Sequence, residues 1–202
     1  MRTIGALIFP GFELLDVFGP MEMFGLLNKE FHIDLVAENA GPIPSSQRLA
    51  AHAVKTIDQS AGYDILFVPG GSGARREINN QKLLDWISQT SGNAEYTLSV
   101  CTGSALLAKA GVLDNRRATT NKAAFSWVAE QGPNVEWVQE ARWIEDGPFF
   151  TSSGVSAGMD MALGAITEIH DVETAEKVAT ICEYSWHRDS KWDPFAKIHD
   201  LV

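Results

Sequence analysis

With 202 residues, 45% of them hydrophobic and 21% charged, the chain has the composition of a globular protein that can bury a sizeable core, which excludes a disordered one. A formal charge of -10, with no basic run beyond the pairs Arg75-Arg76 and Arg116-Arg117, argues against a nucleic-acid partner, because binding phosphates needs clustered Lys and Arg. No apolar run reaches membrane-spanning length, and Cys101 and Cys182 supply neither a disulfide framework nor a metal-ligand spacing, so a cytoplasmic protein with free thiols and no membrane contact is expected.

Arg2 to Phe9 reads as a buried strand, too short for a leader and broken by Pro10-Gly11, and Leu14 to Leu27 follows with apolar residues at helical spacing. Phe31 to Ala37 is a second strand, and 41–46 with 49–54 read as a short hairpin excursion. Ile65 to Val68 is a wholly apolar run feeding Pro69-Gly70-Gly71-Ser72-Gly73, the pattern of a central parallel strand entering a glycine loop. Leu83, Leu84 and Ile87 mark a helix, Tyr96 to Val100 the next strand, and Thr102 to Ala110 a small-residue helix closed by Gly111. Further on, the chain reads as strand Arg117–Thr119, helix Lys122–Gln131, strand Val135–Val138 and a hairpin from Arg142 to Ser152 turning at Asp146-Gly147. Two amphipathic helices follow, Gly158–Ile169 and Glu173–Trp186, with Asp171 as N-cap of the second, and then an irregular tail from Arg188.

Strands alternating with helices imply a three-layer αβα sandwich with a mainly parallel, flavodoxin-like sheet, one domain over residues 1–202. Ligands in such folds bind outside the carboxyl ends of the strands, which directs attention to the turns after Phe9, Val68 and Val100.

Ser99-Val100-Cys101-Thr102-Gly103-Ser104 places a thiol between an apolar strand and a small-residue helix, the sequence form of a nucleophile elbow. A helix N-terminus favours the thiolate, so Cys101 is expected to titrate below a free cysteine; the alternative is a buried, inert thiol. Gly70-Gly71 can bring backbone N–H groups near the same point, and Gly71 with Thr102 would form an oxyanion hole, unless these glycines only shape a tight turn. His32, His52, His170, His187 and His199 form no metal spacing, so neither metal nor cofactor is expected. Cys182, beside Val178 and Ala179 on one helical face, reads as a core cysteine, and Glu13 as a solvent-facing carboxylate. Trp186, Trp192 and Phe195 suit a subunit interface or the core equally well.

Phe9 to Pro20, Val68-Pro69-Gly70-Gly71, Val100-Cys101-Thr102-Gly103, Arg117-Ala118-Thr119-Thr120 and Gly154 to Asp160 together resemble the ThiJ/PfpI superfamily of glutamine-amidotransferase-like proteins. Within it the chain is similar to isocyanide hydratases and to the ligand-binding halves of AraC-type regulators. The resemblance implies that Asp16, from the first β-α loop, meets Cys101 as the acidic partner, and that Cys101, Asp16 and Thr102 carry catalysis. Many members have a His after the Thr-Thr pair; here Asn121 stands there, and an amide can hydrogen-bond a thiol or ligand but takes no proton, which disfavours a Cys-His amidase or glyoxalase. The resemblance thus implies hydration of an isocyanide to an N-formamide on a small-molecule substrate, with a non-enzymatic redox or small-molecule sensor as the rival reading. It also implies a homodimer through the first helix, whose Phe18, Met21, Phe24 and Leu27 exceed one buried stripe.

Overall fold

The computed structural model describes residues 1–59 and 62–202. In chain order, β1 (Arg2–Leu7) leads through α1 (Leu14–Gly25) to β2 (Phe31–Ala37), parallel to β1 in the register Ile4 to Ile33. β3 (Gly41–Pro44) and β4 (Ala50–Ala53) form the expected hairpin excursion, and β5 (Lys55–Thr56) returns to the sheet edge beside β2. β6 (Ile65–Val68) then pairs with the other side of β1, and α2 (Ala74–Glu77) and α3 (Gln81–Asn93) lead to β7 (Tyr96–Val100).

α4 (Gly103–Lys109) follows the elbow. β8 (Arg117–Ala118) pairs with β9 (Glu136–Trp137) in a small separate sheet, with a 3-10 turn at Lys122–Ala124 and α5 (Phe125–Gln131) between them. β10 (Trp143–Asp146) and β11 (Phe149–Ser152) make the predicted hairpin, and β11 runs parallel to β7. α6 (Ala157–Ile169), α7 (Val172–Ile181) and α8 (Pro194–Ile198) complete the chain.

The main sheet has seven strands in the order β10-β11-β7-β6-β1-β2-β5. β6 is buried along its whole length, as is every residue of β7 after Tyr96, because helices cover both faces of a parallel sheet. α1 packs on α6 and α6 on α7, while α3 packs on α4. Connections leave β1 toward β2 on one side and arrive at β6 on the other, so a crevice opens at the carboxyl ends of β1 and β6. No helix among the described residues is long and apolar enough to cross a membrane.

Several boundaries differ from the sequence reading. β1 stops at Leu7, short of Phe9, and α1 ends at Gly25. The segment 122–131 begins as a 3-10 turn because the Asn121 side chain caps it at Ala124. The helix read to Trp186 ends at Ile181: Glu183 adopts a left-handed φ of 48°, and the buried Asp160 carboxylate then accepts from the Tyr184 hydroxyl at 3.0 Å and from the His187 N–H at 2.9 Å. That carboxylate also pairs with Arg142, so a charged anchor outcompetes continued helix. Asp171 caps α7 as expected, accepting from Thr174 N–H at 2.7 Å.

Candidate functional site

Cys101 follows β7 directly and has φ 56°, the left-handed region that costs a non-glycine residue energy unless its surroundings hold it there. Four contacts do so. Its N–H points at the carbonyls of Ser152 and Ser153, each 3.2 Å away, and its own carbonyl accepts from the Thr120 hydroxyl at 2.8 Å and the Ser104 hydroxyl at 3.0 Å. The elbow is therefore wedged between β11, the Thr-Thr segment and the first turn of α4. Gly103 is required beside it: a Cβ there would collide with the Val68 carbonyl, so α4 could not leave so close to β6.

Asp16, in the first turn of α1, is fully buried. Its Oδ2 accepts the Gly70 N–H at 3.0 Å, while Oδ1 is buried with no partner at good hydrogen-bond geometry. The Cys101 thiol, a weak S–H donor, is the side chain that reaches this carboxyl. Burial pushes the Asp16 pKa up to about 7; negative Glu13 adds to the rise, and the Gly70 N–H and the Cys101 thiol oppose it.

Burial also raises the Cys101 pKa, and the charge of Asp16 raises it further, against the Thr102 N–H and hydroxyl that favour the thiolate. The expected depression of the thiol pKa is therefore reversed: α4 has only seven residues, and its N-terminus does not outweigh a site that leaves the cysteine 7% exposed beside a carboxylate. Glu13, read as solvent-facing, acts electrostatically on both groups and is itself hydrogen-bonded by Gln47 at 2.5 Å.

The glycine loop does something other than leave two free donors. Gly70 N–H is spent on Asp16, and Gly71 N–H donates to the Thr102 hydroxyl at 3.0 Å. Gly71 has φ 128° and a Cβ there would collide with the Gly11 carbonyl, so only glycine turns that peptide toward Thr102. The loop thus positions Asp16 and Thr102, and Thr102 faces the sulfur with both its N–H and its hydroxyl.

Asn121 does not sit on the thiol as a partner: its Oδ1 accepts from Ala124 N–H at 3.1 Å and its amide nitrogen packs over Gly154. It lines a cavity of about 260 Å³ together with Ser153, Gly154, Val155, Phe195 and His199. Ser153 also supplies one of the carbonyls that hold the Cys101 N–H, but neither Cys101, Thr102 nor Asp16 lines this cavity. A wider recess of about 470 Å³ opens off β1 and α3 near Glu38 and Arg76, but none of its walls comes from the elbow or from Asp16.

What sequence reasoning missed are Ser104, Thr120, Ser152 and Ser153, which hold the elbow, and the buried Lys122–Asp193 ion pair, 3.1 Å across. Ser104 and Thr120 lie within the elbow and Thr-Thr motifs without revealing their bonds to the Cys101 carbonyl, and nothing local marks the others. Cys182 is half-buried, with its sulfur 3.7 Å from that of Met23, at the margin of the core.

Comparisons with known proteins place the chain among relatives of the same fold. The DJ-1/PfpI family pattern matches residues 2–168. An isonitrile hydratase from Pseudomonas putida is 34% identical over 182 residues, 90% of this chain and 78% of that protein. The HTH-type transcriptional regulator CdhR from Pseudomonas aeruginosa is 30% identical over 178 residues, but the chain spans only 52% of its length. A crystal structure of a ThiJ/PfpI family protein from Pseudomonas syringae superimposes with a TM-score of 0.85 at 28% identity, covering 100% of this chain and 86% of that one. With the family pattern spanning residues 2–168 and a relative 34% identical over 90% of its length, the chain belongs to the DJ-1/PfpI family.

Proposed function

We propose that the protein hydrates an isocyanide to an N-formamide, with Cys101 as nucleophile, Asp16 as proton carrier and Thr102 as positioning donor. The observation that carries this reading is a carboxyl whose pKa, about 7, lies at the working pH while it faces a thiol on a nucleophile elbow. An isocyanide carbon needs both a sulfur nucleophile and a proton, and one group of near-neutral pKa can move that proton in either direction.

In the first half-reaction Asp16 takes the thiol proton as the Cys101 sulfur bonds to the terminal isocyanide carbon, and returns it to that carbon, leaving a thioimidate, R–N=CH–S–Cys101. In the second half Asp16 accepts a proton from water as the oxygen adds to the same carbon, and passes that proton to the substrate nitrogen, which becomes N–H. Collapse of R–NH–CH(OH)–S–Cys101 breaks the carbon–sulfur bond, releases R–NH–CHO and returns a proton to sulfur. The Thr102 N–H and hydroxyl steady the developing thiolate at both ends of the cycle. Gly70 and Gly71 act through the side chains they hold, and Asn121 shapes the neighbouring cavity. We place this chemistry in a homodimer working in the reducing cytoplasm, where Cys101 stays a thiol.

The similarity to a transcriptional regulator favours one other reading, a sensor in which a ligand or oxidant meets Cys101 without turnover. Consumption of a simple alkyl isocyanide, followed by formamide appearance, separates the two. Wild type is expected to turn over, Cys101→Ala to be inactive and Asp16→Asn to lose about a hundredfold or more in kcat, with Asn121→Ala losing much less. An inactive wild type, or a fully active Asp16→Asn variant, overturns the hydratase reading.

A further inference from the structure

The turn between β3 and β4 is laced onto both loops that build the site. Gly11 N–H donates to the Pro44 carbonyl at 2.7 Å, and the N–H and hydroxyl of Ser46 donate to the Phe12 and Gly11 carbonyls, each at 2.8 Å. The Ser46 hydroxyl oxygen also accepts from the Ser72 N–H at 3.3 Å, which joins the turn to the glycine loop after β6.

Gln47 extends this contact to the start of α1. Its side-chain oxygen accepts the Leu14 N–H at 3.2 Å, supplying a cap that Glu13, at the N-cap position, does not. Its amide nitrogen donates to Glu13 Oε1 at 2.5 Å, and the Glu13 N–H donates to the Gly70 carbonyl at 2.8 Å, so this carboxylate is held from both ends rather than free to swing into solvent. Glu13 and Asp16, three residues apart at the head of α1, are neighbours across its first turn, Asp16 inside and Glu13 half-buried at the rim. The charges that act most on the Cys101 thiol are those of these two carboxylates, and no cation among the described residues is set against Asp16.

We infer that Glu13, held by Gln47, is a specificity-determining residue that selects against anions: uncharged molecules reach Cys101, and an anionic one meets a fixed carboxylate as it nears the sulfur. The substrate class deepens the hydratase reading and rests on it: uncharged isocyanides are taken and isocyano acids are excluded. The selection itself can be tested without turnover.

The experiment measures alkylation of Cys101 in the full-length protein by iodoacetamide, which is neutral, and by iodoacetate, which is of similar size and negative, with peptide mass spectrometry resolving Cys101 from Cys182. Both reagents attack the same thiolate, so the ratio of their rates cancels any change in the thiol pKa. N-acetylcysteinamide supplies the ratio for a thiol with no charge beside it. At pH 8 the iodoacetate to iodoacetamide ratio at wild-type Cys101 should lie about tenfold below that reference, and Glu13→Gln should raise it about fivefold, the scale on which one unit charge acts through partly hydrated space. Gln47→Ala, which frees the carboxylate but keeps its charge, should raise it about twofold. Taking the ionic strength from about 0.01 M to about 1 M should raise the ratio in wild type and far less in Glu13→Gln, a response that a change of shape does not give. Glu13 is half-buried and Gln47 exposed, so both variants leave the core intact. In parallel, the preference for ethyl isocyanoacetate over the isocyanoacetate anion should narrow in Glu13→Gln. A wild-type ratio equal to the reference, or one unchanged by Glu13→Gln, overturns the selection even if isocyanides are consumed. A ratio that Glu13→Gln raises and Gln47→Ala does not overturns the hold by Gln47. A ratio raised by Glu13→Gln in a protein that consumes no isocyanide keeps the selection and overturns only the hydratase reading.

Discussion

A carboxyl and a thiol buried side by side cannot both ionise cheaply, and the protonation of each depends on the other. Asp16 supplies most of its own elevation through burial, and its charge is then the second force raising Cys101. Replacing Asp16 by Asn removes that charge and sets an N–H donor near the sulfur. Cys101 alkylation by iodoacetamide at pH 8 should then rise by about tenfold, as one pKa step toward the thiolate requires, even as isocyanide turnover collapses. The same variant carries a stability signature with a definite sign. The Asp16 pKa is about 7 in the folded chain against 3.8 for the unperturbed group, so between those values the folded state keeps a proton that the unfolded chain has lost. Stability is therefore highest at acid pH on this account and declines as pH rises toward 7. Asp16→Asn should be more stable than wild type by about 2 kcal/mol at pH 8, or roughly 5 °C in melting temperature, with the difference closing near pH 4. Thermal melts across pH check this, and a pH-independent difference would contradict it.

At the scale of elements, legibility followed the range of the forces involved. β2, β6 and β7 appear at the residues read from sequence, because a wholly apolar or alternating run records its own burial. β5 and α2 are too short to carry a periodic pattern, and α7 ends early because Asp160 recaptures the chain from another helix. In the site, Cys101 and Thr102 were visible in the strand-to-helix turn, and Asp16 only through the motif it shares with relatives. The Thr120 hydroxyl and the Ser152 and Ser153 carbonyls that hold the elbow, and the clasp between Lys122 and Asp193, join segments distant in sequence and leave no local trace. That clasp gives a prediction of its own. Burial lowers the Lys122 pKa while Asp193 opposes the fall, so Asp193→Asn, which keeps the helix cap, strands a buried cation. It should cost about 3 kcal/mol, seen as a lowered denaturant midpoint, and adding Lys122→Met should recover much of the loss because no unpaired charge is then left inside. A double variant less stable than Asp193→Asn alone would mean the two sites are not coupled through charge.

For the whole molecule, the open matter is what covers the outer face of α1. Of the four residues whose apolarity suggested an interface, Phe24 is fully buried, Met21 is 7% exposed and Leu27 is packed against the core, so only Phe18, 43% exposed, still faces outward. Leu15, 41% exposed, joins it one turn away on the same face, with Glu22 beyond it. Asp16 lies on the opposite, inner side of this helix, so an interface built on Leu15 and Phe18 would brace the element that carries the acid without covering the thiol. A two-fold contact uses the same patch of both copies, so a charge placed there is buried twice in each dimer. Light scattering at micromolar concentration should therefore give the mass of a dimer for the wild type, and Phe18→Glu should shift it toward the monomer while circular dichroism stays unchanged. A wild-type monomer would remove the interface altogether, and a Phe18→Glu dimer would move it off α1.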